Sequence, residues 1–249
     1  MPETTPRRLF LADLHLDAAG DARCQRLAEL LVAWRHRVEG IYLLGDITEL
    51  WIGDDDDGEV ACWFTALLSD TTRHCPVYLM QGNRDFLYGK RLAESTGVQL
   101  LADPFLTADG LLLSHGDAWC TDDVAYQQFR DTVRNSTWQT EILSRPLEDR
   151  RQFGAALRAE SRRTNANKPA RIMDVNGETL AAAAHGATSV VHGHTHRPEC
   201  SPWHDGQRLV LGAWDNGVGW FGLQTGQRLS LHLFSLARRY ESETAHPGW

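Results

Sequence analysis

Residues 188–198 have the sequence TSVVHGHTHRP, an apolar run followed by histidines. Four earlier segments of the chain show the same order, an apolar run followed by Asp, His or Asn. The β-branched start of residues 188–198, at 188–191, indicates a short buried strand. Along an extended chain alternate residues face the same way, so we expect His194 and His196 to present two imidazoles to one side. Gly193 lets the backbone come close to whatever they bind. Neutral imidazole is a common ligand of divalent transition metals, and the alternative is a polar surface loop that contains histidines.

Four earlier apolar segments end in the same kind of residue. Asp13 and His15 follow the run 8–12, and Asp46 follows the run 41–44. Asn83 follows the run 77–80, and His115 follows the run 111–113. Amphipathic helices are predicted over about 20–38 and 59–73. Strands separated by helices indicate a mainly parallel sheet, and ligands bind beyond the carboxyl ends of such strands. We therefore expect the polar clusters to meet at one edge, although each alone is also typical of a strand-end turn. The acidic run 54–57 is expected to be mostly a solvated loop.

The predicted cluster offers nitrogen and oxygen donors and no thiolate: Asp13, His15, Asp46, Asn83, His115, His194 and His196. This set exceeds what one tetrahedral zinc ion takes and suits two ions that share a carboxylate. Such donors favour Mn(II), Fe(II), Zn(II) or Mg(II), among which affinity alone does not choose. Two ions about 3.5–4 Å apart stabilise the attacking and leaving oxygens of a phosphoryl displacement and lower the pKa of a bound water. No catalytic residue is predicted beyond that metal-bound water.

The bulk composition narrows the class of protein. A chain of 249 residues with 42% hydrophobic content suits one α/β domain. The net charge of -8 argues against a general nucleic-acid-binding surface. The five scattered cysteines form no CxxC pair, which indicates a reducing compartment. No signal-peptide core and no apolar run near the ~20 residues of a membrane helix is present, so we expect a cytoplasmic protein that is able to rest on a membrane surface.

Together these blocks resemble, in order, the motifs of the calcineurin-like metallophosphoesterases. The resemblance implies that Asp13, His15 and His196 hold one ion, that Asn83, His115 and His194 hold the other, and that Asp46 bridges the two. It also implies an α/β fold, a four-layer αββα sandwich with an inserted helical cap. The late runs 209–211 and 229–234 are candidates for the second sheet.

The match extends over nearly the whole chain. The stretches LFLADLHL, LLGDITELWIGDDD, GNRDFLYGKR, HGDAWCTDD, IMDVN, HGHTHRP and VLGAW resemble the UDP-2,3-diacylglucosamine diphosphatase family of lipid A biosynthesis. This resemblance implies two Mn(2+) ions per chain and hydrolysis of the pyrophosphate by a metal-activated water that attacks the alpha-phosphorus. The implied products are UMP and 2,3-diacylglucosamine 1-phosphate (lipid X). It further implies a peripheral membrane protein on the cytoplasmic face of the cell inner membrane.

A long insertion is expected to choose the substrate. We predict a single domain, 1–249, that contains a helical cap over about 122–170. From Arg145 to Arg171 the chain holds eight basic residues and three acidic ones, a local balance of +5. A cationic cap suits a pyrophosphate or an anionic inner-membrane surface, and the alternative is a solvated basic helix.

Several side chains of this insertion are candidates for substrate binding. Helical spacing predicts one stripe composed of Arg158, Ser161, Asn165 and Lys168. The family resemblance assigns substrate contacts to Asn83, Arg84, Asp123, Ser161, Asn165, Lys168 and His194. Trp138, Ile142 and Phe153 are either helix-packing residues or the wall of a chamber for the acyl chains.

Two alternatives stay open at this point. One is a metallophosphoesterase of the same fold that acts on another nucleotide or phosphodiester substrate. The other is a metal-binding protein that binds partners without catalysis, although no ligand is lost from the motifs. The sequence leaves open the acyl-chain length, the metal used in the cell, the oligomeric state and any general acid, for which His192 is a candidate.

Overall fold

The structure, a computed structural model, describes residues 7–165, 168–240 and 246–247. The first part of the chain forms β1 (Arg7–Leu11), α1 (Ala22–Trp34), β2 (Gly40–Leu44), α2 (Glu59–Thr72), β3 (Val77–Met80), α3 (Lys90–Thr96), β4 (Gln99–Leu101), β5 (Phe105–Leu106) and β6 (Leu111–Ser114). The middle part forms α4 (Val124–Val133), α5 (Ser136–Leu143), α6 (Leu147–Asn165) and α7 (Gly177–Ala183). The last part forms β7 (Ser189–His192), β8 (Glu199–Trp203), β9 (Gly206–Val210), β10 (Val218–Thr225), β11 (Arg228–Ser235) and β12 (His246–Pro247).

The strands of the described residues form two sheets. The first has seven strands in the order β12-β11-β10-β1-β2-β3-β4, and the second has five in the order β5-β6-β7-β9-β8. The pairs β1–β2, β2–β3 and β3–β4 are parallel in the first sheet. The pairs β6–β7 and β7–β9 are parallel in the second. Each of the two sheets therefore contains its own set of parallel strands.

Alternating side chains of the strands build three apolar layers. Leu9 and Leu11 of β1 belong to a buried cluster with Leu27 of α1, on the outer face of the first sheet. Phe10 between them points the other way, into a cluster with Leu113 of the second sheet. On the outer face of the second sheet, β6 and β7 pack against α7. The order helix–sheet–sheet–helix confirms the predicted four-layer αββα sandwich.

Two expectations about the sheets were wrong in detail. The five predicted strands do not share one sheet, because β1, β2 and β3 lie in the first and β6 and β7 in the second. Residues 209–211 contribute to the second sheet through β9, as predicted, but 229–234 lie in β11 of the first. The reason is that β11 forms a hairpin with β10, which pairs with β1.

The helix predictions were correct in kind and position. Helix α1 lies within the predicted 20–38, and its Leu27, Leu30 and Leu31 are buried at helical spacing. Asp21 caps it, since its carboxylate accepts the backbone N–H of Cys24 at 2.8 Å. Helix α2 lies within the predicted 59–73. Three further helices, α4, α5 and α6, occupy most of 122–170 and are called the cap helices below.

Candidate metal centre and substrate cavity

The loops that follow β1, β2, β3, β6 and β7, called the ligand loops below, bring all the predicted ligands together. On one side the His15 Nε2 atom lies 3.2 Å from the His196 Nε2 atom. The His196 Nε2 atom lies 3.4 Å from Asp13 Oδ1. That Asp13 oxygen is buried and accepts no hydrogen bond from the described residues. Ligand atoms of these residues all lie within 4.8 Å of one another, close enough to hold one ion.

The remaining ligands gather on the other side of Asp13. The Asn83 Oδ1 atom lies 3.0 Å from His115 Nε2 and 2.7 Å from His194 Nδ1. The His115 Nε2 atom is also 3.6 Å from Asp46 Oδ1. Because Asp13, Asp46 and His115 again place ligand atoms within 4.8 Å, the two groups are contiguous through their carboxylates. The residues present therefore offer two adjoining sets of metal-ligand atoms.

The backbone of the ligand loops is left-handed, not extended. The φ angles of Asp13, His15, Asp46, His194 and His196 lie between 51° and 68°. The extended alternation proposed for His194 and His196 was therefore wrong, and the two imidazoles diverge, one to each group. Non-glycine residues in this region cost of order 1–3 kcal/mol each and persist where the surroundings hold them. Strain concentrated on predicted ligands points to a functional site.

Close approach of backbone to carboxylate explains the adjacent glycines. A Cβ atom on Gly193 would collide with the Asp13 carboxylate, and one on Gly82 would collide with Asp46. The backbone N–H of His194 donates to Asp13 Oδ2 at 2.8 Å, and that of Arg84 donates to Asp46 Oδ1 at 2.8 Å. Gly193 thus lets the backbone come close to the Asp13 carboxylate, and any side chain there would displace this predicted ligand.

Other side chains, not among the predicted site residues, hold the ligands in place. The Glu49 carboxylate lies 3.1 Å from His15 Nδ1. The carbonyl of Leu44 lies 2.9 Å from His115 Nδ1, so that nitrogen donates and leaves Nε2 to face the centre. Buried Asp85 accepts the backbone N–H groups of Gly82, Asp46, Ile47 and Thr48. The only sequence signal for Asp85 was its place in the Gly-Asn-Arg-Asp block.

The charges around the centre favour cations. Burial alone would lower the pKa of His115, but the carboxylates of Asp46 and Asp13 outweigh it and raise that pKa to about 9. Burial opposes ionisation of Asp13, yet the imidazoles around it, His196 first, lower the pKa of its carboxyl well below the usual range. Burial and nearby His115 lower the pKa of His194 to about 4. Divalent ions would supply the positive charge that these carboxylates demand, so the donor set fits metal.

His192, a candidate general acid, is turned away from the centre. Its Nε2 atom accepts from the Arg208 guanidinium at 3.0 Å and 3.1 Å, and its Nδ1 atom lies 2.9 Å from the Gly193 carbonyl. Burial, followed by the charge of Arg208, lowers the pKa of His192 to about 3. Both nitrogens are thus engaged and the ring is neutral near pH 7, which removes it as a proton donor to a leaving group.

A cavity of about 550 Å³ opens beside the metal centre. The predicted substrate residues that line it are Asn83, Arg84, Asp123, Arg158, Ser161, Lys168 and His194. The Nε atoms of Arg84 and Arg158 are buried and have no hydrogen-bond partner within the described part of the chain. Lys168 forms an ion pair with Asp123 at 2.5 Å. The predicted stripe was wrong for Lys168, because α6 ends at Asn165, whose side chain lies outside the described residues.

Much of the basic charge of the cap is directed to the body of the protein. The Arg150 guanidinium is buried and donates to both carboxylate oxygens of Asp55 and to the carbonyl of Ile52. Arg151 pairs with Asp56 and Asp57. The run 54–57 is a loop with Asp55 and Asp57 exposed, as expected, but it is also the surface on which α6 is anchored. Its position under a basic helix is a tertiary contact that composition alone does not reveal.

The aromatic residues assigned to an acyl chamber lie elsewhere. Trp138 packs between Phe86 and Phe153, with ring centroids 6.0 Å and 5.9 Å away. Ile142 is buried in the same cluster, which joins the cap helices to the first sheet. None of Trp138, Ile142 and Phe153 lines the described cavity. The packing interpretation was correct for these residues, and the apolar wall of the cavity is formed by Leu50, Phe86, Phe129, Leu157 and Met173.

Comparison with known proteins agrees with this geometry. Residues 6–198 match the calcineurin-like phosphoesterase family, so the chain belongs to that family and is a metal-dependent hydrolase. The UDP-2,3-diacylglucosamine hydrolase of Chromobacterium violaceum is 41% identical over 218 residues, which cover 84% of this chain and 91% of that protein. The hydrolase of the same name from Sodalis glossinidius is 40% identical over 237 residues, covering 91% and 98%. Within the phosphoesterases, the chain belongs to the family that these hydrolases form.

Proposed function

We propose that the protein hydrolyses the pyrophosphate bond of UDP-2,3-diacylglucosamine in lipid A biosynthesis, releasing UMP and 2,3-diacylglucosamine 1-phosphate (lipid X). One observation carries the proposal. Three of the predicted ligands, Asn83, His194 and His196, line a cavity that also has an apolar surface. Arg84 and Arg158 line it too, and their buried Nε atoms have no hydrogen-bond partner among the described residues. A diphosphate between a nucleoside and an acylated sugar needs all of these features. The names of the relatives indicate this substrate for those proteins.

The residues divide naturally between two Mn(2+) ions. Asp13, His15 and His196 would hold one ion, Asn83, His115 and His194 would hold the other, and Asp46 would touch both. The oxygen and nitrogen donors suit manganese, and no cysteine thiolate lies among them. When bound, the two ions stabilise the attacking and leaving oxygens of an in-line displacement and activate water. Residues at positive φ persist only where the surroundings hold them, so the ligand loops would supply defined positions for those charges.

Arg84 and Arg158 are placed to bind the diphosphate. Arg84 follows the ligand Asn83 directly, and Arg158 faces the same cavity from α6. Their buried Nε–H groups lack acceptors among the described residues, which is costly unless a ligand provides one. Guanidinium groups match phosphate oxygens in geometry and charge. We therefore infer that these arginines bind the pyrophosphate oxygens whose negative charge the metal ions do not neutralise.

The remaining polar residues suit the uridine and the sugar. Ser161 offers a hydroxyl, and the Asp123–Lys168 pair offers both an acceptor and a donor at one end of the cavity. Asn165 is retained in this set from the family resemblance. Phe129 and Leu157 replace the earlier choice for the acyl chains, since they line the cavity. The cap of about 122–170, within one domain of 1–249, would then select the substrate that reaches the metal centre.

The protein is further proposed to act as a peripheral membrane protein on the cytoplasmic face of the inner membrane. Within the described ranges no helix is both long and apolar enough to cross a bilayer. Val124 of α4 and Leu143 of α5 are exposed apolar side chains on the cap helices, 62% and 40% exposed. Such exposed apolar residues favour contact with a lipid surface, from which an acylated substrate would be drawn.

Turnover of UDP-2,3-diacylglucosamine in oxygen-18 water, with and without added Mn(2+), tests the proposal. We expect label in UMP only, because water attacks the alpha-phosphorus, and strong stimulation by manganese. Label in the lipid phosphate contradicts the site of attack. UDP-N-acetylglucosamine serves as the comparison substrate, and equal turnover of both favours the alternative of a phosphoesterase with another nucleotide substrate.

A further inference from the structure

One face of α4 contacts the ligand loops as well as the cavity. Tyr126, Arg130 and Arg134 recur four residues apart and lie on one side of the helix. The Tyr126 hydroxyl donates to the buried Asp117 carboxylate at 2.5 Å, and Arg130 donates to the same oxygen at 2.9 Å. The Tyr126 ring also stacks on the ring of His194, with centroids 5.8 Å apart. The first cap helix therefore contacts the metal centre directly.

Arg134 makes the most specific of these contacts. Its Nη1 atom donates to the Gln81 side-chain oxygen at 2.6 Å, and its Nη2 atom donates to the carbonyls of Gln81 and Gly82 at 3.3 Å and 3.0 Å. The Gln81 side-chain N–H in turn donates to the carbonyl of Tyr88 at 2.7 Å. The guanidinium thus ties together both ends of loop 81–88, which carries Asn83 and Arg84.

The position of this loop determines where two of the predicted metal ligands, Asn83 and Asp46, lie. Asn83 follows Gly82 directly, and its Oδ1 atom faces His115 and His194. The backbone of Gly82 packs so closely on Asp46 that no Cβ atom fits between them. A shift of the Gly82 carbonyl would therefore displace both the Asn83 oxygen and the Asp46 carboxylate.

We propose that Arg134 is a positioning residue of the metal centre, whose guanidinium fixes loop 81–88 and thereby completes the site that Asn83, His115 and His194 form. The role rests on the proposed two-ion centre. Arg134 does not line the cavity, so it acts through Asn83 and not on substrate. Its hydrogen bonds go to Gln81 and Gly82 of the loop that holds ligands, and its Nη2 atom also lies 4.0 Å from the Asp117 carboxylate. Groups that hold metal ligands in place typically contribute 10- to 100-fold to metal affinity.

The test is a titration of the full chain with Mn(2+), followed by electron paramagnetic resonance of the free ion. We expect wild type to bind two ions. Arg134→Gln should weaken the second ion about 10- to 100-fold and leave the first unchanged. The affinity of Arg134→Lys for the second ion should lie between those of wild type and Arg134→Gln, because an ammonium group reaches one carbonyl but does not span both. Steady-state turnover should show a lower kcat with little change in KM, since substrate contacts are retained.

Two reference variants calibrate the measurement. Asn83→Ala removes the ligand itself and sets the size of a full loss at the second site. Arg145→Gln removes a cap arginine in the turn after α5 whose ion pair, among the described residues, is with Glu141 of that helix, and it should titrate like wild type. If Arg134→Gln does not fold, Arg134→Lys carries the test.

The outcomes separate this inference from the proposed function. Two ions bound with wild-type affinity by Arg134→Gln, or by Arg134→Lys where that variant carries the test, overturn the role of Arg134. A wild-type chain that binds a single ion overturns both this role and the two-ion centre. A wild-type chain that binds two ions in the expected manner, yet leaves UDP-2,3-diacylglucosamine intact, contradicts the proposed substrate and supports Arg134 if the variants still lose the second ion.

Discussion

The ligand loops and the cap helices are held in place by different physical means. The loops depend on left-handed backbone at the ligands and on direct contact between glycines and carboxylates. The cap helices depend on side-chain contacts with the body, both the apolar cluster that contains Ile142 and ion pairs such as Arg150 with Asp55 and Arg130 with Asp117. Rigid backbone suits groups that must meet at a shared point, whereas side-chain pairs allow a surface to adapt to a large ligand. Changes in the loops, or in Arg134, which holds loop 81–88, should therefore lower the rate, and changes in the cap residues that line or anchor the cavity should weaken substrate binding.

The largest effect is expected in the loops, at the shared carboxylate. Asp46→Ala should lower kcat roughly 10³-fold or more, because metal ions contribute several kcal/mol of transition-state stabilisation and each 1.36 kcal/mol is tenfold in rate. Steady-state kinetics with Mn(2+) measures this loss. The exposed Asp131 of α4 provides the control, and Asp131→Ala should behave as wild type. Activity that survives Asp46→Ala with metal content intact would show that no ion is shared there.

At the boundary between the two regions, the cavity arginines should affect binding. Removing one charged hydrogen bond costs about 1.5–3 kcal/mol, so Arg84→Ala or Arg158→Ala should raise KM roughly 10- to 100-fold. Turnover at saturating substrate should change less. Arg162, exposed on the same helix as Arg158, provides the matched control Arg162→Ala. Unchanged KM in both cavity variants would remove the diphosphate from this wall.

Within the cap, the apolar residues that line the cavity should bind the acyl chains of the substrate. Leu157→Ser or Phe129→Ser should weaken the diacylated substrate roughly tenfold, because a buried apolar side chain contributes about 1.5–3 kcal/mol. A deacylated analogue should be unaffected, and competition between the two measures the difference. Trp138→Ser should instead lower the melting temperature, since Trp138 packs in the core cluster. Equal losses for both substrates would contradict the chamber.

The smallest effect is expected where the cap is anchored. Asp55→Asn should raise KM about fivefold, because the ion pair between the half-exposed Asp55 and the buried Arg150 contributes about 1 kcal/mol. A small chromogenic phosphodiester that needs no cap should be hydrolysed as before. The hydrogen bond from Arg150 lowers the pKa of Asp55, so the stabilisation is present above the unfolded pKa of about 3.9 and is lost as pH falls through the folded pKa. The more exposed Asp57→Asn should change little, and equal effects at both positions would remove any special role for the Asp55 pair.

Sequence patterns predicted the ligand loops well because strand ends and their glycines are local features. Each ligand follows an apolar run, and the chain topology then brings the runs together. The backbone geometry could not be predicted in the same way. Non-glycine residues seldom adopt positive φ, and although Asp and His do so more often than most, nothing local indicates that His194 and His196 diverge to different groups.

Contacts between distant parts of the chain were the harder problem. Any of the cap arginines could have paired with the run 54–57, and only the tertiary structure selects Arg150 and Arg151. Similarly, the alternation of 229–234 suits either sheet, and the hairpin with β10 decides the first. Long-range pairing therefore limited both the fold prediction and the interpretation of the cap.

Anomalous diffraction from crystals grown with Mn(2+) tests the two-ion centre most directly. The account predicts two peaks roughly 3.5–4 Å apart, both beside the Asp46 carboxylate, one near His15 and His196 and the other near Asn83 and His194. A single peak, or two peaks remote from Asp46, would contradict it.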